Sequence, residues 1–132
     1  MNSPLRLLAV DDDIDSAELI VRVAERCGYE GFATSDSRGV MNLTNALKPD
    51  LVSVDICMPN IDANELFVML ADSGFSGEVM IVSGQQLSVL EETRDYAESL
   101  GLKVRHFQQK PLDFKVLRSM FASPGSAEKS AA

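Results

Sequence analysis

The chain has 132 residues, 45% hydrophobic and 24% charged, with a formal charge of -8, which sets the expectation of one compact domain around one core. Such an excess of acid leaves no clustered Lys and Arg to release counterions from nucleic acid or to hold anionic lipid, so neither is expected as a direct partner. The longest apolar runs, such as Leu7 to Val10, fall far short of the roughly 20 residues that span a bilayer. The start of the chain also lacks the basic region, apolar stretch and cleavage site of a secretory leader, so a cytoplasmic location is expected.

Short apolar runs alternate with longer segments of helical period, the pattern of a parallel sheet with crossover helices. The strands are expected at Leu5 to Val10, Tyr29 to Thr34, Leu51 to Asp55, Val79 to Val82 and Val104 to Gln108. The first, third and fourth are almost wholly apolar, as strands buried on both faces are. His106 and Gln108 interrupt the last one, which places it at a sheet edge. Helical stripes follow each strand. They read Ile14, Ala17, Val21, Ala24 and Cys27; then Val40, Leu43 and Leu47; then Leu66, Met69 and Leu70. The fourth reads Val89, Leu90, Thr93, Tyr96, Ala97 and Leu100, closed by Gly101, and the fifth reads Phe114, Leu117, Met120 and Phe121. The fold class expected is α/β, a doubly wound three-layer (βα)5 fold with a five-stranded parallel sheet. Residues 1–121 form the domain, and residues 122–132, without apolar period, read as a disordered tail or linker. Cys27 and Cys57 lack the paired spacing of a zinc site and read as reduced thiols.

In an open parallel sheet, ligands bind beyond the carboxyl ends of the strands. The first strand ends in Asp11-Asp12-Asp13, the third in Asp55, the fourth in Ser83-Gly84, and the fifth runs into Lys110-Pro111. Acids, a hydroxyl and an amine thus converge on one rim. Crowded carboxylates repel one another unless a cation offsets them, and Mg2+ commonly takes one or two carboxylates while leaving room for phosphate and water. A carboxylate can also attack phosphorus, in a transfer that depends on positioning and charge neutralisation.

Val10-Asp11-Asp12, Val54-Asp55, Met58-Pro59 with Asp62 following, Val82-Ser83-Gly84 and Lys110-Pro111 together resemble the signatures of response-regulator receiver domains, the CheY-like superfamily of two-component signalling. The resemblance spans about residues 5 to 121. It implies a flavodoxin-like strand order 2-1-3-4-5, with Asp55 as phosphoacceptor and Lys110 and Ser83 contacting the phosphoryl group. It also implies Mg2+ held by Asp11, Asp12, Asp55 and the backbone carbonyl of Cys57, and a switch formed by Ser83 and Phe107. A cis bond between Lys110 and Pro111 belongs to the same pattern.

The implied partners are a histidine kinase or histidine phosphotransfer protein, and an output domain or downstream protein docking on the fourth helix, fifth strand and fifth helix. A phosphorylation-dependent homodimer is compatible with that surface. The domain is expected to signal rather than to act as an enzyme on other substrates. The long segment before Lys110 is similar to receivers attached to EAL-type phosphodiesterases.

The chain departs from the family pattern in four places. Ala63 stands where Gly is usual, so a positive φ there would cost about 1 kcal/mol. Ser83 replaces the commoner Thr, Phe107 lacks the hydroxyl of the frequent Tyr, and the segment from Ser83 to Lys110 is long. Individual residues also have simpler readings. Asp13 reads as the N-cap of the first helix. His106 needs no role, Cys57 reads as a side chain lining the site, and Met58, Met69, Met80 and Met120 read as packing residues. Two alternatives stand beside the receiver. One is a haloacid-dehalogenase-like phosphohydrolase with Asp11 as nucleophile; the other is a receiver-like docking module that takes no phosphoryl group.

Overall fold

In the computed structural model, described for residues 4–57 and 62–122, five parallel strands form one sheet in the order β2-β1-β3-β4-β5. The strands are β1 (Arg6–Val10), β2 (Glu30–Thr34), β3 (Leu51–Asp55), β4 (Glu78–Ser83) and β5 (Lys103–Gln109). The helices are α1 (Ile14–Arg26), α2 (Val40–Leu47), α3 (Ala63–Asp72), α4 (Leu87–Ser99) and α5 (Phe114–Ala122). Every expected element is present, the strands shifted by at most a residue at each end. α5 runs through Ala122, and the rest of the expected tail lies outside the described residues.

Alternation along the strands sends side chains to two cores, as a period of two requires. Leu8, Val10, Val52, Val54, Val79 and Ile81 face one core, with Leu66, Phe67 and Leu70 of α3 and Leu90 and Ala97 of α4. Leu7, Ala9, Leu51, Met80 and Val82 face the other, with Ala17, Ile20 and Ala24 of α1 and Leu117 and Phe121 of α5. The central strands β1, β3 and β4 are thus apolar on both faces, which explains their unbroken hydrophobic runs. β5 lies at the edge, as its polar residues suggested, and its register with β4 slips between Val79 and Met80.

All five helical stripes depart in part from expectation. Ile14, Met69 and Phe114 are exposed, as is Tyr96 in α4, whereas Ile20, Phe67 and Thr44 are buried. In α3 the inward side chain is the aromatic Phe67, a member of the core shared with the strands and α4, and Met69 two residues on faces out. Thr44 is tolerated inside because its hydroxyl donates to Val40 O at 2.8 Å. Gly101 has φ +92, the left-handed conformation that closes a helix, as expected of it.

Candidate functional site

The site is built where β1, β3, β4 and β5 end. Asp11 extends the β1 ladder by donating its N–H to Thr34 O at 3.1 Å, which leaves its side chain buried at the rim. Its Oδ1 accepts from Asp13 N at 3.0 Å, closing the turn into α1. Asp13 is the N-cap of that helix, its Oδ1 accepting from Asp15 N at 3.1 Å and its Oδ2 from the Ser16 hydroxyl at 3.1 Å. Asp13 is thereby committed to the helix. Asp12, between the two, is exposed.

Asp55 ends β3 and is buried, with Oδ1 accepting from Cys57 N at 2.8 Å. One carboxylate oxygen from each of Asp11, Asp12 and Asp55 lies within 4.8 Å of the others, an arrangement able to hold a metal ion. Lys110 reaches this cluster from the end of β5, its Nζ 2.9 Å from Asp11 Oδ2 and 3.0 Å from Asp55 Oδ2. The Lys110–Pro111 bond is cis, and the Lys110 N–H donates to Ser83 O at 2.7 Å, binding the ends of β4 and β5 together.

Electrostatics follow from this crowding. Burial holds the Asp11 carboxyl above the usual carboxylate range, with the Asp55 charge adding to it and Lys110 and the Asp13 N–H opposing. Burial alone would lower the pKa of Lys110, but its hydrogen bonds and charge contacts with Asp11 and Asp55 together raise it. The lysine therefore stays charged beside both acids.

Ser83 is fully buried, its hydroxyl accepting from Gln85 N at 3.0 Å and lying 3.1 Å from Cys57 Sγ. Cys57 is exposed and lines the site, as its position two residues beyond Asp55 suggested. Gln109, opposite Ser83 in the ladder, donates its amide to Gln85 O at 3.0 Å and steadies the same loop. Phe107 pairs with Ile81, two residues before Ser83, so Phe107 and Ser83 share the sheet face that carries α4. His106 contacts Gln108 at 3.2 Å and lies on the other face.

Met58, Pro59, Asn60 and Ile61 lie outside the described residues. Asp62 beyond them is the N-cap of α3, accepting from Asn64 N at 2.9 Å. Ala63 is the first residue of that helix, so the cost of a left-handed residue does not arise there. Two contributors escaped sequence reasoning. Asp113 caps the start of α5 by accepting from Lys115 N at 2.9 Å and Val116 N at 3.2 Å, and its signal was an acid just before a helical stripe. Arg94 of α4 stacks its guanidinium 5.1 Å from the centre of the Phe107 ring, a contact with no signature in sequence.

Comparison with known proteins gives the class to which this sheet order and the acidic rim at the strand ends belong. Residues 7–122 match the response regulator receiver domain family, and the chain belongs to it. It is 24% identical over 133 residues to the alkaline phosphatase synthesis transcriptional regulatory protein PhoP of Bacillus subtilis, covering 94% of this chain and 53% of that one.

A response regulator from Colwellia psychrerythraea superimposes with a TM-score of 0.76 at 26% identity, covering 98% of this chain and 100% of that one. A CheY-like receiver domain protein from Methanospirillum hungatei gives 0.79 at 19% identity, covering 98% and 100%, a likeness of fold. The chain spans 31% to 53% of the length of the first curated relatives it matches. Among the described residues no helix is long and apolar enough to cross a membrane.

Proposed function

We propose that this chain is the phosphoacceptor domain of a cytoplasmic two-component system, taking a phosphoryl group onto Asp55 from a phosphohistidine of a histidine kinase or phosphotransfer protein. The observation that supports this most directly is the reach of Lys110 Nζ to both Asp55 Oδ2 and Asp11 Oδ2, beside a cluster of three carboxylates. A lone structural lysine would need one partner. Two acids at hydrogen-bond distance make a site that still has negative charge to spare for a divalent ion.

The donor set is all oxygen, which suits Mg2+ rather than a thiolate-seeking metal. Asp11, Asp12 and Asp55 would hold it with the Cys57 carbonyl, and when bound it would supply positive charge against the phosphoryl oxygens. Asp55 Oδ attacks phosphorus in line, the P–N bond to the histidine breaks, and its electron pair leaves with the imidazole. Lys110 and the Ser83 hydroxyl then each contact an oxygen of the acyl phosphate, neutralising charge from fixed positions. Drawn inward, Ser83 releases space toward Phe107 on the shared sheet face. The ring follows, and the surface of α4, β5 and α5 shifts between two arrangements read by an output domain or partner.

Incubation with acetyl phosphate and Mg2+, followed by mass spectrometry, tests the assignment. The wild type gains one phosphoryl group and Asp55→Asn gains none. Equal labelling of both would remove Asp55 from the role, and turnover of a phosphate ester abolished by Asp11→Asn but not by Asp55→Asn would favour the phosphohydrolase reading.

A further inference from the structure

Arg94 occupies an unexpected place in α4. The buried residues of that helix are Leu90 and Ala97, and Arg94 lies four residues after the first and three before the second, on the same inward stripe. An apolar side chain would ordinarily fill that position. The guanidinium instead lies 5.1 Å from the centre of the Phe107 ring, within the range of a cation–π contact, and is only 33% exposed. Two acids of the same helix lie beside it. Its Nη2 lies 3.1 Å from Asp95 Oδ1, and its Nε lies 4.0 Å from Glu98 Oε1.

Phe107 has no polar atom, so hydrogen bonding cannot fix its ring. Its packing against the core beneath α4 is non-directional, and the arginine provides the one directional restraint on it among the described contacts.

We propose that Arg94 is a positioning residue that holds Phe107 in the arrangement of the unphosphorylated protein, and so couples α4 to the state of Asp55. This rests on Phe107 serving as the relay. Phosphorylation must pull the ring away from the guanidinium, and the strength of that contact sets how readily it does so. The cation also belongs to the surface that changes. An Arg94 released from the ring presents its charge to whatever binds α4, with Asp95 and Glu98 still beside it.

The test uses the whole chain with 4-fluorophenylalanine at its six phenylalanines, the Phe107 fluorine resonance being the one lost in Phe107→Leu. Spectra are recorded with Mg2+, before and after addition of beryllofluoride as the acyl phosphate mimic. Arg94→Met keeps an apolar stem and removes the cation, while Arg94→Lys restores a cation.

In wild type the resonance moves on adding beryllofluoride. In resting Arg94→Met the ratio of the two ring positions shifts about two- to fivefold toward the beryllofluoride-bound one, and Arg94→Lys returns at least part of the way. A resting Arg94→Met spectrum identical to wild type overturns the role of Arg94 and leaves Phe107 as the relay. A wild-type resonance unmoved by beryllofluoride, with Asp55 still labelled by acetyl phosphate, overturns both. Arg94→Gln reads the same ratio if Arg94→Met loses its native far-ultraviolet spectrum.

Discussion

Lys110 Nζ stands 3.0 Å from Asp55 Oδ2 while its second hydrogen bond, at 2.9 Å, goes to Asp11 Oδ2, so a single ammonium joins the ends of β1 and β3 to β5. Removing it leaves two buried carboxylates facing each other without compensation. In chelator, Lys110→Met is expected to lose about 2 kcal/mol of stability by urea unfolding, a loss discounted for the partial exposure of the lysine. Added Mg2+ recovers part of it, because the same carboxylates are neutralised. Equal stability of the two proteins in chelator would show that the lysine does not balance the acids.

Asp12 and Asp13 are adjacent in sequence and opposite in consequence. Asp13→Ala removes the α1 cap and is expected to cost about 1 kcal/mol in thermal unfolding while leaving acetyl phosphate labelling intact. Asp12→Ala, an exposed residue with no cap to lose, is expected to leave stability within about 0.5 kcal/mol and to lower the apparent Mg2+ affinity at least about tenfold. Reversed phenotypes would exchange the two assignments.

Tyr29 offers a pH test away from the rim. Burial raises its phenol above the ordinary value of 10.0, opposed by the charge and hydrogen bond of Arg105, whose Nη1 donates to the Tyr29 hydroxyl at 3.2 Å. The phenol is neutral in both states below pH 10, where its full contribution is present. As pH rises past 10 the unfolded chain loses the proton first, so stability falls until the folded group titrates in turn. Tyr29→Phe is expected to cost about 1 kcal/mol at neutral pH and to lack this decline. The gap between the two proteins in urea midpoint therefore narrows from pH 9 to 11, and a constant gap would contradict the raised pKa.

At the opposite end of β4 from Ser83, Gly77 has no room for a side chain. A Cβ there would meet Phe75 Cζ at 2.6 Å, Asp50 O at 2.7 Å and Pro49 O at 2.8 Å. Two of these are backbone atoms, and Asp50 O already accepts from Glu78 N at 2.8 Å at the start of the strand, so neither moves freely. Gly77→Ala is expected to destabilise by about 1–3 kcal/mol, read by chemical unfolding, with Asp55 labelling unchanged at permissive temperature.

The rim was legible because its residues sit at strand ends, where a hydrophobic run stopping at an acid or lysine marks both the boundary and the chemistry. Asp11, Asp55 and Lys110 carry that mark, and Asp13 carries the cap signature. The layers were legible for the same reason, since apolar runs in β1, β3 and β4 need burial on two faces. Helix rotation was not. Ile14, Met69 and Phe114 satisfy the helical period as well as Ile20 and Phe67 do, and which of them turns inward depends on the shape of the core above the sheet. The Arg94–Phe107 stack and the Arg105–Tyr29 bond join residues far apart in sequence, and no periodicity encodes such contacts.

The pair formed by Lys110 and Asp11 closes a span of 99 residues. Asp55 lies between them on a third strand, so the acids and the amine meet only when the sheet is complete from β1 to β5. A denatured or half-assembled chain has no such meeting point. Any ion or phosphoryl mimic that needs all of them is therefore selective for the finished molecule, and it stabilises the fold by mass action as its concentration rises above the dissociation constant. If the proposed phosphotransfer to Asp55 holds, a donor that needs this rim would modify only copies that have finished folding.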